Sequence, residues 1–312
     1  MALSRIKSDS LEDAAIHGNR NLIINGSMDI AQRGTSHTTT GYGSLDRYYL
    51  ALSGASATMS QQTFSTSDRN SLGFEKYLKL AVTTANNNCG IFNKIEASDA
   101  VRLIDKKATL SFYAKGTNPA GGSFTIQPQW YNNSSGGGDN AVAQSLTITS
   151  SWVKYSFTFT IPTPANTVID NNAQLSISII QPPGDTSTTA WELNLAGLQF
   201  EVGEVDTPFE HEDFGTTLIK CQRYFQTDGE HRTIGSFGYI TNGNNAFVKT
   251  YLVTPMRATP TIVFSGNSGN GFNNSNPIAN GAGNQSFEVY KNSTGTVSDS
   301  YYLFRYTASA EL

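Results

Sequence analysis

Few side chains in this sequence are spaced for chemistry, and the most suggestive group is aromatic and amide rather than catalytic. Trp130-Tyr131-Asn132-Asn133 closes an alternating segment and opens a Gly-rich stretch that runs to Asp139-Asn140. A flat ring flanked by amide and acid groups can lie on the apolar face of a sugar while its neighbours bind hydroxyls. Trp130, Tyr131, Asn132 and Asp139 are therefore the candidate ligand-binding residues. The competing reading packs Trp130 into a core, with only a loop beyond it. Trp152 and Trp191 precede long alternating runs and read as core or rim anchors.

Other chemistries find weaker support. His17, His37, His211 and His231 have no partner at a metal-ligand spacing. The acidic stretch Glu201, Glu204, Asp206, Glu210, Glu212, Asp213 lacks the Asp-x-Asp-x-Asp-Gly run of a calcium loop and reads as a solvated connector. Asp29, Asp46, Asp99 and Asp139 could supply a glycosidase carboxylate pair, but no motif groups them. There is no Gly-x-Ser-x-Gly elbow. Gly266-Asn267-Ser268-Gly269-Asn270-Gly271 lacks the Lys-Ser/Thr pair of a phosphate loop. The expectation is a protein that is not an enzyme and holds no metal or cofactor. Cys89 and Cys221 sit at no metal-ligand spacing and read as buried structural thiols.

Composition points to strands. Charged residues make up 15% of the 312, against about 25% in ordinary globular chains, and Ser, Thr, Asn, Gln and Gly take their place. The net charge of −4 and the absence of a basic stripe argue against nucleic acid. No run approaches the ~18 apolar residues of a membrane span, and the N-terminus lacks a signal-peptide core, so neither membrane insertion nor ordinary export is expected. The poverty in cysteine suits assembly in a reducing cytoplasm.

From Asn21 onward apolar residues alternate with polar ones. Leu78-Leu80-Val82, Leu110-Phe112-Ala114, Val153 to Ile161, Leu175-Ile177-Ile179 and Leu193-Leu195 each fill one strand face, with turn chemistry between them. The fold class expected is all-β: a jelly-roll β-sandwich over 20–210, then a smaller β-sandwich over 211–312. Residues 1–19 form a short helical arm. Ser10 can cap its helix and Gly18 can end it, and so short a helix needs a docking partner. Arg5, Ile6, Leu11 and Ile16 are the candidate docking residues. Thr216 to Phe225 reads as one or two helical turns, with a strand as the alternative. Strands are expected at 247–253, 261–264, 286–290 and 301–307, and a long Gly/Asn/Ser loop at 266–284 that could offer Phe272 as a contact.

Several strings resemble tail-fibre and related virion proteins of tailed bacteriophages that carry carbohydrate-binding-like jelly rolls. They are Arg20 to Thr35, Leu45-Asp46-Arg47-Tyr48-Tyr49, Phe92 to Glu96, Thr109 to Gly116, Leu195 to Gly203 with Thr207-Pro208-Phe209-Glu210, and Lys220 to Phe225. The resemblance spans most of 20–225. It implies a virion structural protein, of tail-fibre or receptor-binding type, made in the bacterial cytoplasm. It also implies a homotrimer, contact with other virion proteins of tail, baseplate or capsid, and no catalytic residues. Contact with host surface glycans would follow if the β domains point outward. Two alternatives stand beside it: an architectural decoration or adaptor protein without a ligand, and a polysaccharide-degrading enzyme.

Overall fold

The computed structural model describes residues 19–85, 88–131, 139–164, 173–181, 188–228 and 233–312. The expected arm, with Arg5, Ile6, Leu11 and Ile16, lies outside these residues, as does Asn132. The chain forms two compact units. One holds the residues up to Phe214 together with Leu312, and the other Gly215–Glu311.

The protein is all-β, as the alternation requires. The first unit contains strands β1 (Ser36–His37), β2 (Tyr48–Ser53), β3 (Ser56–Thr63), β4 (Lys76–Thr84), β5 (Asn88–Glu96), β6 (Lys107–Thr117), β7 (Phe124–Tyr131), β8 (Gln144–Leu146), β9 (Val153–Thr160), β10 (Gln174–Ile180) and β11 (Trp191–Val202). They build two antiparallel sheets, ordered β1-β3-β4-β11-β6-β9 and β2-β5-β10-β7-β8. Helix α1 (Thr66–Leu72) starts at a Ser65 cap and ends at Gly73 in the left-handed region; α2 (Ala97–Ala100) is a single turn.

The core lies between the sheets. Leu78, Leu80, Leu110, Phe112, Leu193 and Leu195 come from one sheet, and Ile91, Ile126, Leu175, Ile177 and Ile179 from the other. Each expected alternating set faces inward, and β9, at a sheet edge, leaves Val153 exposed.

The segment before β1 is tied down by polar groups. Asn21 Nδ2 donates to the Leu198 carbonyl, and its Oδ1 accepts from Phe200 N–H. Asn25, at φ +62° and buried, holds both the N–H and the carbonyl of Ile30 and also the Asp46 carbonyl. Asn is one of the few residues that tolerates this backbone region.

The acidic stretch divides: Glu204 and Asp213 beyond β11 are exposed, as a solvated connector would be, whereas Glu201, within β11, and Glu210 are tied into the fold. Glu201 is fully buried and accepts from Thr207 N–H, Thr207 Oγ1 and Gln199 Nε2. Glu210 accepts from the main-chain N–H groups of Asn19 and Asn21. A carboxylate that satisfies main-chain donors folds its own segment back onto the sheet, and composition does not reveal that.

The second unit opens with α3 (Phe214–Gln222), the helical alternative at that position. It continues through β12 (Phe225–Thr227), β13 (Thr233–Ile240), β14 (Asn245–Tyr251), β15 (Thr261–Asn270), β16 (Ile278–Ala282), β17 (Ser286–Asn292) and β18 (Val297–Ser309). β18 pairs with β12 and β13 on one side and β15 on the other, while β14-β17-β16 form a second sheet. Tyr302, Phe304 and Tyr306 of β18 face Phe287 and Val289 of β17 across the core, with Phe287 and Tyr306 centroids 4.8 Å apart.

About half of the loop expected at 266–284 is strand. β15 runs on to Asn270 through a bulge at Ser265/Ser268, and β16 covers 278–282. Gly, Asn and Ser here accommodate a bulge and an edge strand rather than a structureless link. Phe272 is a core residue, 5.2 Å from the Tyr302 ring, and not an exposed contact.

Cys89 and Cys221 are buried and not joined by a disulfide. Burial pushes the Cys89 thiol up to about 12 from 9.0. Below pH 9 the thiol is protonated folded or unfolded. Above it only the unfolded chain releases the proton, so stability drains as pH rises through that window. Urea titrations from pH 8 to 11 should therefore show a decline that Cys89→Ala makes shallower; parallel curves would contradict this. A Cβ on Gly26 would lie 2.2 Å from the Leu198 carbonyl oxygen. Gly26→Ala should cost about 1–3 kcal/mol in urea unfolding, and an unchanged midpoint would refute the close packing.

Candidate functional site

Strand parity decides what the five-stranded sheet shows on its outer side. In β10, Leu175, Ile177 and Ile179 point into the core, so Gln174, Ser176 and Ser178 point away from it. The same alternation turns Gln127, Gln129 and Tyr131 outward from β7, Phe92, Lys94 and Glu96 from β5, and Tyr49 from β2.

Register then sorts these side chains into cross-strand rows. Tyr49, Phe92, Ser178 and Gln127 form one row; Lys94, Ser176 and Gln129 the next; Glu96, Gln174 and Tyr131 the third. The Tyr49 and Phe92 rings meet edge to face at 6.3 Å. Lys94 Nζ lies 4.7 Å over the Tyr49 ring and donates to the main-chain oxygen of Leu312, which groups with this unit. The Tyr131 hydroxyl donates to Gln129 Oε1 at 2.7 Å, and burial raises its pKa. Ser178 Oγ donates to the Gln127 carbonyl.

Two groups on this face are orphaned. Ser176 is 0% exposed and Gln174 is 9% exposed, yet among the described residues neither Ser176 Oγ nor Gln174 Oε1 has a hydrogen-bond partner. Leaving such a group buried and unpaired costs about 1–3 kcal/mol. In the register, Ser176 sits between Lys94 and Gln129, two long side chains whose torsions can change to admit a ligand. The face thus combines aromatic edges, amides, hydroxyls and unmet hydrogen-bonding capacity.

The sequence-based candidates divide here. Tyr131 belongs to the face. Trp130, one residue earlier, turns to the opposite side: it is 3% exposed, its indole N–H donates to the Pro162 carbonyl, and it has no ring face left for a ligand. Asp139 lies beside β7 through its main-chain oxygen, which accepts from Trp130 N–H. Trp191 is a core anchor bonded to Gln181, and Trp152 is a rim ring near Phe64 and Tyr77. Asp46 is buried and accepts from Gln32, with Arg33 at 3.7 Å, so it serves the fold. His37 bonds to Ser44. Among the described residues no three His, Cys, Asp or Glu side chains converge as a metal site.

Sequence reasoning missed Tyr49, Phe92, Gln127, Gln174 and Ser176. The signal was present as the polar half of each alternating run, but only pairing places those halves side by side.

No protein-family model matches the chain, and no curated protein matches it. Among solved structures it is similar to the enzymatically active domain of tailspike protein 4 from bacteriophage CBA120, at 12% identity and a TM-score of 0.40, over 59% of this chain and 22% of that one. The chain thus spans about a fifth of that structure's length. It is similar also to a family 11 carbohydrate-binding module of a Clostridium thermocellum cellulase, at 14% identity and a TM-score of 0.34, over 55% of this chain and 96% of that one. A third is the N-terminal cellulose-binding domain of a Cellulomonas fimi β-1,4-glucanase, at 17% identity and a TM-score of 0.30, over 57% of this chain and 100% of that one.

If Ser176 is kept for a ligand rather than for the fold, removing its hydroxyl should not destabilise the protein. Ser176→Ala should unfold at the same or higher urea concentration, within about 1 kcal/mol. A loss well beyond that would show that the hydroxyl already has a structural partner.

Proposed function

We propose that the chain is a non-catalytic structural and adhesive protein of a tailed-phage particle, and that its first β-sandwich contacts host-surface glycans through the outer face of the five-stranded sheet. The observation that carries the glycan reading is the orphaned pair Gln174 and Ser176 among Tyr49, Phe92, Gln127, Gln129 and Tyr131. A saccharide offers hydroxyls to unmet acceptors and donors and lays its C–H face on aromatic rings, so it meets both needs of this surface. Sequence strings resembling virion proteins support the particle-borne role. Homotrimeric assembly would multiply weak sites into useful avidity.

Labelled protein should be tested on arrays of bacterial surface polysaccharides and simple glycans, beside the Tyr49→Ala and Gln174→Ala variants. Retention by at least one glycan class is expected, weakened about tenfold by losing a ring or an amide contact. No retention on any glycan would overturn the adhesive reading and favour an architectural subunit. Release of reducing ends would favour an enzyme. Detection of the protein in purified particles tests the virion assignment separately.

A further inference from the structure

The opposite face of the same unit carries a cavity that the reading above does not use. On β6, Leu110, Phe112 and Ala114 point inward, so Ser111 and Tyr113 point out of the six-stranded sheet. The segment 206–211 crosses over them. With Phe74 and Lys154 it lines a half-open cavity of about 540 Å3. One wall is aromatic: the Phe74 and Phe209 centroids lie 5.0 Å apart and Phe209 and His211 4.9 Å apart. Gly197, at φ +60°, is required there, because a Cβ would lie 2.3 Å from the Phe74 ring.

The polar groups converge on the same space. Lys154 Nζ and Asp206 Oδ2 pair at 2.5 Å, and the lysine holds the Asp206 carboxyl below its ordinary pKa. Ser111 is 3% exposed and lines the cavity.

We propose that this cavity is a second ligand site, specific for a neutral saccharide. The charged pair cancels its own field, which removes any preference for an ionic ligand, yet it places a donor and an acceptor side by side for adjacent hydroxyls. The Ser111 hydroxyl on the wall supplies a third polar contact. Phe209 and His211, the rings of that wall that are not buried, receive the C–H face of the sugar, with Phe74 packed behind them. The size falls within the range of pockets that enclose small ligands. The proposal stands on a different sheet and different residues from the glycan-binding face.

The test is an amide NMR titration of the intact chain with the methyl glycosides of glucose, galactose, mannose, N-acetylglucosamine and rhamnose. Saturable shifts are expected at Gly197, Thr207 and Phe209 for at least one probe, with a dissociation constant on the order of 1 mM. Asp206→Asn and Ser111→Ala should each weaken that binding, the former about tenfold, with amides elsewhere unmoved. Tyr49→Ala and Gln174→Ala should leave it intact. No saturable shift at these amides with any probe, or shifts indifferent to both Asp206→Asn and Ser111→Ala, would overturn the proposal. Shifts confined to the five-stranded face and lost in Tyr49→Ala would overturn it while upholding the first site.

Discussion

The first unit depends on the parity of β10. This central strand pairs along its whole length with β5 on one side and β7 on the other. Leu175, Ile177 and Ile179 enter the core on one face, while Gln174, Ser176 and Ser178 stand on the other. A slip of one residue would exchange them. Burying each large aliphatic side chain contributes about 1.5–3 kcal/mol, so the wrong register would take three of them out of the core and put three polar side chains into it instead. The same burial offsets the cost of the orphaned amide and hydroxyl across the strand. The core therefore lets the outer face keep unmet hydrogen-bonding capacity.

The ends of the sandwich are secured differently. Asn21, Asn25 and Glu201 each gather main-chain donors or acceptors where the chain leaves regular pairing. Buried polar groups of this kind must be satisfied together, because losing one partner orphans several others. That explains why a chain with so little charge still buries a carboxylate at Glu201. The second unit relies on the aromatic rows of β18 and β17 instead, where interlocking rings supply both area and orientation.

The two outer faces of the sandwich differ in construction. The five-stranded face is a grid of side chains whose positions follow from register alone. The cavity on the six-stranded side needs a crossing segment, a glycine bulge in β11 and a ring packed over it. If both proposals hold, the grid would take an extended ligand lying along the rows and the cavity a short one.

What the sequence by itself determined is local and periodic. The all-β class, the inward members of β4, β6, β10 and β11, the helix after Asp213 and the reading of Trp191 as a core or rim anchor are all legible, because period-two alternation and turn residues act over a few residues. Tertiary structure alone decided which outward side chains share a row. Trp130 and Tyr131 are neighbours in sequence but face opposite sides of β7, while Tyr49, Phe92, Ser178 and Gln127 are far apart in sequence and adjacent in space. Likewise Gly266 to Asn284 reads as loop by composition, yet pairing with β18 and β17 draws about half of it into strands. The physical reason is the same in each case. Alternation gives a side chain one of two faces, but only hydrogen-bonded register between distant strands gives it neighbours.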